Sequence, residues 1–435
     1  MALGGGTFTA QNKILPGSYI NVVSTARASA SLSDRGVVAL GLQLPYSPTG
    51  VFEVTNETLV KNTLEVFGCD YSADALKPIR EVLLNAQKIY VYNTADAGVK
   101  ASNTYATAKY PGEGGNNISI RIEADVDNSS NYVVSTLMGN TVVDEQSVAK
   151  TGTTAALTAN AYVDWKTSVA LAATAGTAMT GGETKKSAGT VSEQNALNAF
   201  EAYTFNVVTL AHSSATVHGM VKSFVTRLRN EQGIKIQGVV YNTDADDEGI
   251  INVVTAASEQ DYAMIFWVAG AEAGCALNRS LTNKIYDGEY TPVVTATQSE
   301  LEGYIQSGKF AFHKVNDDVR VLMDINSLKT TTENKGDIFK ENQTIRVVDQ
   351  IANDIAVIFN TKYIGAVQNN ATGRALFKAD IVAHHNELQA MNAIENFTAD
   401  SVTIEAGTEK GAVVVNDAVT VVGTMTKLYM TVYVS

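Results

Sequence analysis

The segment GGETKKS at 181–187 carries the residue types of a phosphate-binding loop, with glycines for close backbone approach and Lys-Ser for a phosphate and its metal ion. Lys185 stands where that loop needs a glycine, and the first glycine at the required spacing is missing, so the segment reads as a turn and linker. DADDEG at 244–249 begins like a calcium loop, with Asp244, Asp246 and Glu248 at alternate positions and Gly249 sixth. Its twelfth position is Thr255, where a bidentate Glu should close the cage, and it lies between two strand signals; a solvated acidic turn is expected. Of the five histidines, His384 and His385 are adjacent on a helical pattern, where neighbours diverge by about 100° and cannot share a metal facially. His212, His218 and His313 read as packing or surface residues, and Lys222, Arg227 and Arg229 as a solvated helix face. Cys69 and Cys275 belong to no C-x-x-C pair and are expected as buried free thiols. With no G-x-S-x-G, H-E-x-x-H or strand-borne G-x-G-x-x-G, no catalytic residue, metal or cofactor is expected.

Composition narrows the partners. Lys and Arg number 32 against 45 Asp and Glu, a net charge of −13, which disfavours nucleic acid because phosphate neutralisation needs excess cations. Charged residues are only 18% and hydrophobic residues 45%, a globular balance that leaves much neutral polar surface for packing against protein. MALGGGTFTA has no basic stretch followed by an apolar one and Ala follows Met1, so neither a secretory signal nor myristoylation is expected. The most apolar window, AMIFWVAGA at 263–271, ends at Glu272 and falls short of the roughly 20 residues a bilayer requires. A chain soluble in the cytoplasm, without membrane partners, is the expectation.

The elements that would position any site follow from periodicity. GVVALGLQL and KIYVYN read as strands, NETLVKNTLEVFG as a short helix, and SADALKPIREVLLNAQ as an amphipathic helix capped by Ser72. From about 100 to 182 alternating runs such as NISIRIEADV and NYVVSTLMG indicate a small β-rich insertion. Strand and helix signals then alternate through 192–325, with one helix opened by Ser192 and another stopped by Gly233. The fold class expected is therefore an α/β core, a mostly parallel sheet with helices on both faces, carrying an inserted β-rich domain and a C-terminal α+β module. The boundaries are an N-terminal extended arm at 1–23, a discontinuous core at 24–99 and 183–330, the insertion at 100–182, the C-terminal module at 331–424 and an arm strand at 425–435.

Both ends of the chain look like strands. After a Gly-rich leader, Pro16-Gly17 marks a turn before Tyr19, Ile20, Val22 and Val23. At the other end MTKLYMTVYVS alternates, with Leu428, Met430, Val432 and Val434 on one face and Tyr429, Thr431 and Tyr433 on the other. A terminal strand without a partner in its own chain can add to the sheet edge of a neighbour, and two such ends would stitch subunits into a lattice.

Several segments resemble a known family. LPGSYINVVS resembles the Pro-Gly-x-Tyr arm of contractile tail sheath proteins of bacteriophages and R-type bacteriocins, and DRGVVALGLQLPYSPTG the small-residue strand and turn that follow it. AKYPGEGGNNISIRI and MTGGETKKSAGTVSEQNALNAFE resemble the family's entry to and exit from the inserted domain, and the end in LYMTVYV its donated strand. The short middle domain is most similar to small sheaths of prophage-like elements of Gram-positive bacteria. Ser18, where a β-branched residue is common, and the missing surface insertions are departures.

The resemblance implies a structural subunit, not an enzyme. It implies a homo-oligomer, a helical stack of hexameric rings around an inner tail tube protein, with baseplate and tail terminator proteins as further partners. Such a sheath contracts to drive the tube through a cell envelope, and is assembled in the bacterial cytoplasm as a virion tail or bacteriocin particle released by lysis. It further implies that Tyr19, Ile20, Val22, Val23 and Leu428–Val434 supply arm strands, for which Val402, Ile404, Val413 and Val415 are the candidate receivers. The helix from Thr372 to Ile394 would face the tube with Arg374, Lys378, Glu387 and Glu395. The rival readings are an α/β enzyme or ligand-binding protein, and a surface-array protein suggested by the acidic, Cys-poor, Thr-rich composition.

Overall fold

A computed structural model describes residues 32–434, so Tyr19, Ile20, Val22, Val23 and the arm at 1–23 lie outside the described residues. Two compact units divide the described chain: one comprises 33–353, 388–396 and 419–434, the other Leu32, 354–387 and 397–418.

The first unit opens with β1 (Val37–Leu42), β2 (Val51–Thr55), α1 (Asn56–Lys61), α2 (Thr63–Phe67), α3 (Lys77–Leu83) and β3 (Lys88–Asn93). A β-rich excursion follows: β4 (Ala106–Ala108), β5 (Ile118–Ala124), β6 (Asn131–Met138), β7 (Thr141–Ala149), β8 (Val163–Trp165) and β9 (Thr174–Ala178). The chain then returns through α4 (Val191–Phe200), β10 (Val207–Leu210), α5 (Ala215–Arg227), β11 (Gln237–Tyr241), β12 (Ile250–Val253), α6 (Met264–Gly274), α7 (Gln298–Gln306), β13 (Phe312–Val315) and β14 (Asp318–Val321).

A six-stranded sheet in the order β12-β11-β10-β1-β3-β2 forms the centre, parallel except for β2. β1 sits in the middle because both its faces are apolar: Val38 and Leu40 enter the core under α3 and α6, while Ala39 enters the core under α4 and α5. The apolar window of the sequence is α6, buried from Met264 to Ala273, and a helix hydrophobic all round belongs inside a core. Its Gly270 allows α3 to approach, since a Cβ there would lie 2.2 Å from the Val82 carbonyl oxygen. The excursion forms the antiparallel sheet β7-β6-β5-β9 over its own core of Ile118, Ile120, Ile122, Val134 and Met138. Gly112, at φ 119°, lets its entry strand rest on Pro45, whose carbonyl oxygen would be 2.0 Å from any Cβ.

Local chemistry moved several boundaries. NETLVKNTLEVFG is two helices, because the chain breaks at Asn62 and restarts. Ser72 caps nothing: Pro78, at the second helical position, sets the start of α3 after a tight 74–76 turn. Ser192 lies inside α4 with its hydroxyl donated to Asp96 at 2.7 Å. Gly233, in the left-handed region, does end the helix of α5 and its wider last turn. Cys69 and Cys275 are free but half-buried rather than buried.

α8 (Asn342–Ile358) runs on from this unit, and its anchor is ionic. Arg346, fully buried, donates from Nη1 to both Glu272 oxygens at 2.6 Å and from Nη2 to Asp324 at 2.9 Å and the Arg279 carbonyl at 2.8 Å. Glu81 is also buried, accepting from Tyr286 Oη at 3.1 Å and from the Glu289 N–H, and burial pushes its carboxyl up to about 7.

Arg346→Ala strands two carboxylates and should cost about 3–5 kcal/mol in chemical denaturation. Glu81 binds its proton more tightly folded than unfolded, so its contribution is lost as pH rises from the ordinary carboxylate range through about 7. Glu81→Gln should therefore gain about 1–3 kcal/mol relative to wild type between roughly pH 5 and pH 8. Parallel unfolding profiles over that range would exclude Glu81 as the titrating group.

Candidate subunit interface

Several of the side chains that could have served a ligand are bonded within the chain itself. Where strand order reverses, between β1 and β10, a crevice of about 590 Å³ opens at their C-terminal ends, lined by Gln43, Lys186, His212, Ser213 and Tyr262. This is where α/β sheets bind ligands. Lys186, from the GGETKKS segment, is bonded to Glu193 at 2.7 Å, and His212 Nδ1 accepts the Ser214 N–H at 2.9 Å. Asp246 is a clasp rather than a solvated turn: it accepts from the Lys329 and Thr330 N–H groups and the Thr330 hydroxyl at 2.6–2.9 Å, which holds its carboxyl down at about 2. Asp244 and Glu248 pair with Lys329 and Lys335. His218 bridges Thr243 and the His212 carbonyl. Among the described residues no cluster of His, Cys, Asp or Glu could hold a metal ion, and no helix is long and apolar enough to cross a membrane.

The second unit carries the candidate receiving strands. α9 (Ala371–Ala390) precedes β16 (Val402–Ala406) and β17 (Val413–Asp417), which pair antiparallel with Val402 opposite Asp417, Ile404 opposite Val415 and Ala406 opposite Val413. That register puts Val402, Ile404, Val413 and Val415 on one face, buried or half-buried, while Thr403, Glu405, Val414 and Asn416 are exposed on the other. The turn is fixed by Asn369, whose Nδ2 donates to the Ala412 carbonyl at 2.7 Å. No third strand joins this sheet among the described residues, so both of its edges present backbone groups for pairing. Beside Val413 a cavity of about 460 Å³ has Phe359, Tyr363 and Phe377 as its floor and Arg374 and Lys410 at its rim.

The closing segment belongs to the first unit. β15 (Ile394–Glu395) pairs with β18 (Thr420–Val421), the Val422 N–H reaches the Ala393 carbonyl at 3.0 Å, and the Thr424 N–H reaches Gln343 at 3.2 Å. Beyond that tether residues 425–434 make no hydrogen bond to any described residue. Their large side chains, Leu428, Tyr429, Met430, Val432, Tyr433 and Val434, are 69–91% exposed, and Thr431 is exposed with them. Extended, ten residues reach about 33 Å.

The residues expected to face the tube are divided between two elements, Arg374, Lys378 and Glu387 on α9 and Glu395 on β15. α9 stops at Ala390 and Asn392 turns the chain at φ 61°, so Glu395 stands on β15. Lys378 and Glu387 are nine positions apart, about 180° around a helix, and therefore face opposite ways. Arg374 is half-buried and turned onto Asn369 Oδ1 at 2.8 Å, whereas Glu387 accepts the Leu32 N–H at 3.1 Å.

Three family models match the chain in order: the phage tail sheath protein beta-sandwich domain over residues 94–184, its central domain over 172–327 and the phage tail sheath C-terminal domain over 334–435. The chain is 31% identical to phage-like element PBSX protein XkdK of Bacillus subtilis (strain 168), with 100% of each chain covered. The solved sheath tail protein from Desulfitobacterium hafniense is 30% identical and superposes with a TM-score of 0.80 over 95% of this chain and 99% of that one. The anti-feeding prophage helical sheath in its contracted state shares the fold, with a TM-score of 0.57 at 10% identity over 96% of this chain and 98% of that one.

Of the lysines and arginines among the described residues, trypsin should cut first after Lys427, and this cut should change the unfolding free energy by no more than about 0.5 kcal/mol, because no other described residue rests on 428–434. Mass spectrometry of the early digest and a denaturation curve would check this.

Proposed function

Because the chain belongs to the phage tail sheath family, whose members are structural subunits and not enzymes, we propose that it polymerises around an inner tail tube by exchanging strands between subunits. The observation that carries the proposal is a complementary pair: a closing segment that is apolar and alternating, and a two-stranded sheet, neither of which has a further strand partner among the described residues. In this reading residues 428–434 of one copy add to the β16-β17 sheet of another, gaining ladder hydrogen bonds and burying side chains at about 1.5–3 kcal/mol each. Tyr19, Ile20, Val22 and Val23 supply a second connection.

A heterologous contact that does not close generates a helical filament, so the same exchange repeated gives stacked rings around a tube. Linked by arms, subunits can pass from an extended to a contracted packing without separating, and the shortening drives the tube through an envelope. Tube, baseplate and terminator proteins are the partners this requires. Assembly takes place in the bacterial host cytoplasm, with release in a tail or tail-like particle.

Removing 425–435 should leave a folded subunit by circular dichroism that forms no tubes in negative-stain images, while the full chain forms tubes of uniform width. Tubes from the truncated chain would show that another segment makes the connection.

A further inference from the structure

His384 and His385 are both buried, and their rings are joined head to head within the second unit. His384 Nε2 lies 3.0 Å from Asp354 Oδ2 on α8, the two Nδ1 atoms are 3.2 Å apart, and His385 Nε2 lies 2.8 Å from Asp417 Oδ2 at the end of β17. Adjacent residues on a helix start about 100° apart, but the rings turn back toward each other, held by the Phe397 ring at 4.9 Å from that of His385.

These contacts set a hydrogen count. Three hydrogen bonds in series need three hydrogens, and two neutral imidazoles bring two. If both Nε2 atoms donate to carboxylates, two bare Nδ1 lone pairs face each other; a third proton between the rings removes that conflict. We propose that Asp354, His384, His385 and Asp417 form a proton-sharing latch that fastens β17 to α8 and α9 and lets it go when the shared proton leaves.

Among the described residues of these elements, the other charged groups nearby are already committed or turned away. Asp380, one turn before His384, is paired with Lys362 at 2.6 Å and bonded by Tyr363; Glu387 is exposed on α9; Glu405 of β16 projects from the opposite face of the hairpin. Asp417 is the partly exposed member, with 22% of its side chain reachable, against 4% for Asp354. The proton therefore has a route to solvent at the strand end. Any effect of the latch on assembly rests on the reading of β16-β17 as the receiving sheet, whereas the latch itself does not.

The test uses the purified full chain. Nitrogen NMR of ¹⁵N-labelled histidine should find three ring-bound hydrogens shared by the His384–His385 pair at neutral pH. Hydrogen exchange of peptides spanning 413–417, corrected for intrinsic rates, should lose protection by at least about tenfold on going alkaline relative to β1. Asp417→Asn should lower protection at neutral pH and flatten the profile; if that variant does not fold, the wild-type profile decides alone. Two singly protonated rings at neutral pH would overturn the latch. So would protection that tracks β1 throughout, or a stoichiometric metal ion whose removal by EDTA reproduces the loss.

Discussion

A guanidinium with no access to water governs how this chain is put together. Arg346 lies where an ion is costly to bury, and it is tolerable there because both terminal nitrogens meet oxygens of Glu272, Asp324 or the Arg279 backbone, while the buried Nε has no hydrogen-bond partner among the described residues. Through that set of bonds α8 is fixed to α6 and to the loop after β14, and the 279–282 turn is drawn in by the same Asp324, which also accepts the Leu281 N–H at 2.9 Å. Apolar packing alone would let α8 slide. Directional bonds to three segments fix its rotation and register, and the remaining residues of the chain continue from it.

That anchor was invisible in the sequence. Arg346 reads as one polar position on an amphipathic helix, and Glu272 reads as the polar end of an apolar window; only the fold brings residues 74 positions apart into contact. What could be read was whatever repeats locally. The strands of the parallel sheet, the apolar helix and the alternating insertion were all legible, because burial on one or both faces imposes period 2 or 3.6 on the residues. Boundaries failed where a single residue overrode the pattern, as Pro78 does at α3 and Asn392 beyond α9. The disposition of the polar residues expected to contact the tube was not legible either, since nine residues along a helix, as from Lys378 to Glu387, bring a side chain to the far side.

The core sheet has the architecture of many enzymes, and its crevice lies at the position that ligands favour. Fold is a poor guide to function here because side chains of that crevice have been turned to internal use: Lys186 neutralises Glu193, and the His212 ring accepts the N–H of Ser214, the residue that caps α5. The chemistry-bearing motifs that looked incomplete in the sequence became structural clasps, of which Asp246 is the clearest. The features on which the proposed function rests lie elsewhere, in a hairpin and a tail that have no strand partner among the described residues.

That tail carries a hazard along with its use. An apolar β-prone stretch without proline is the kind of segment that stacks on itself into insoluble aggregates, and Lys427 is the only charge within residues 425–434 to oppose this. Under the proposed strand exchange each newly synthesised copy is in a race between correct docking and clumping, and the outcome turns on how fast ordered growth consumes the free pool. In that exchange, growth from a template would give every exposed tail a waiting berth and so favour nucleated assembly over accumulation of loose subunits.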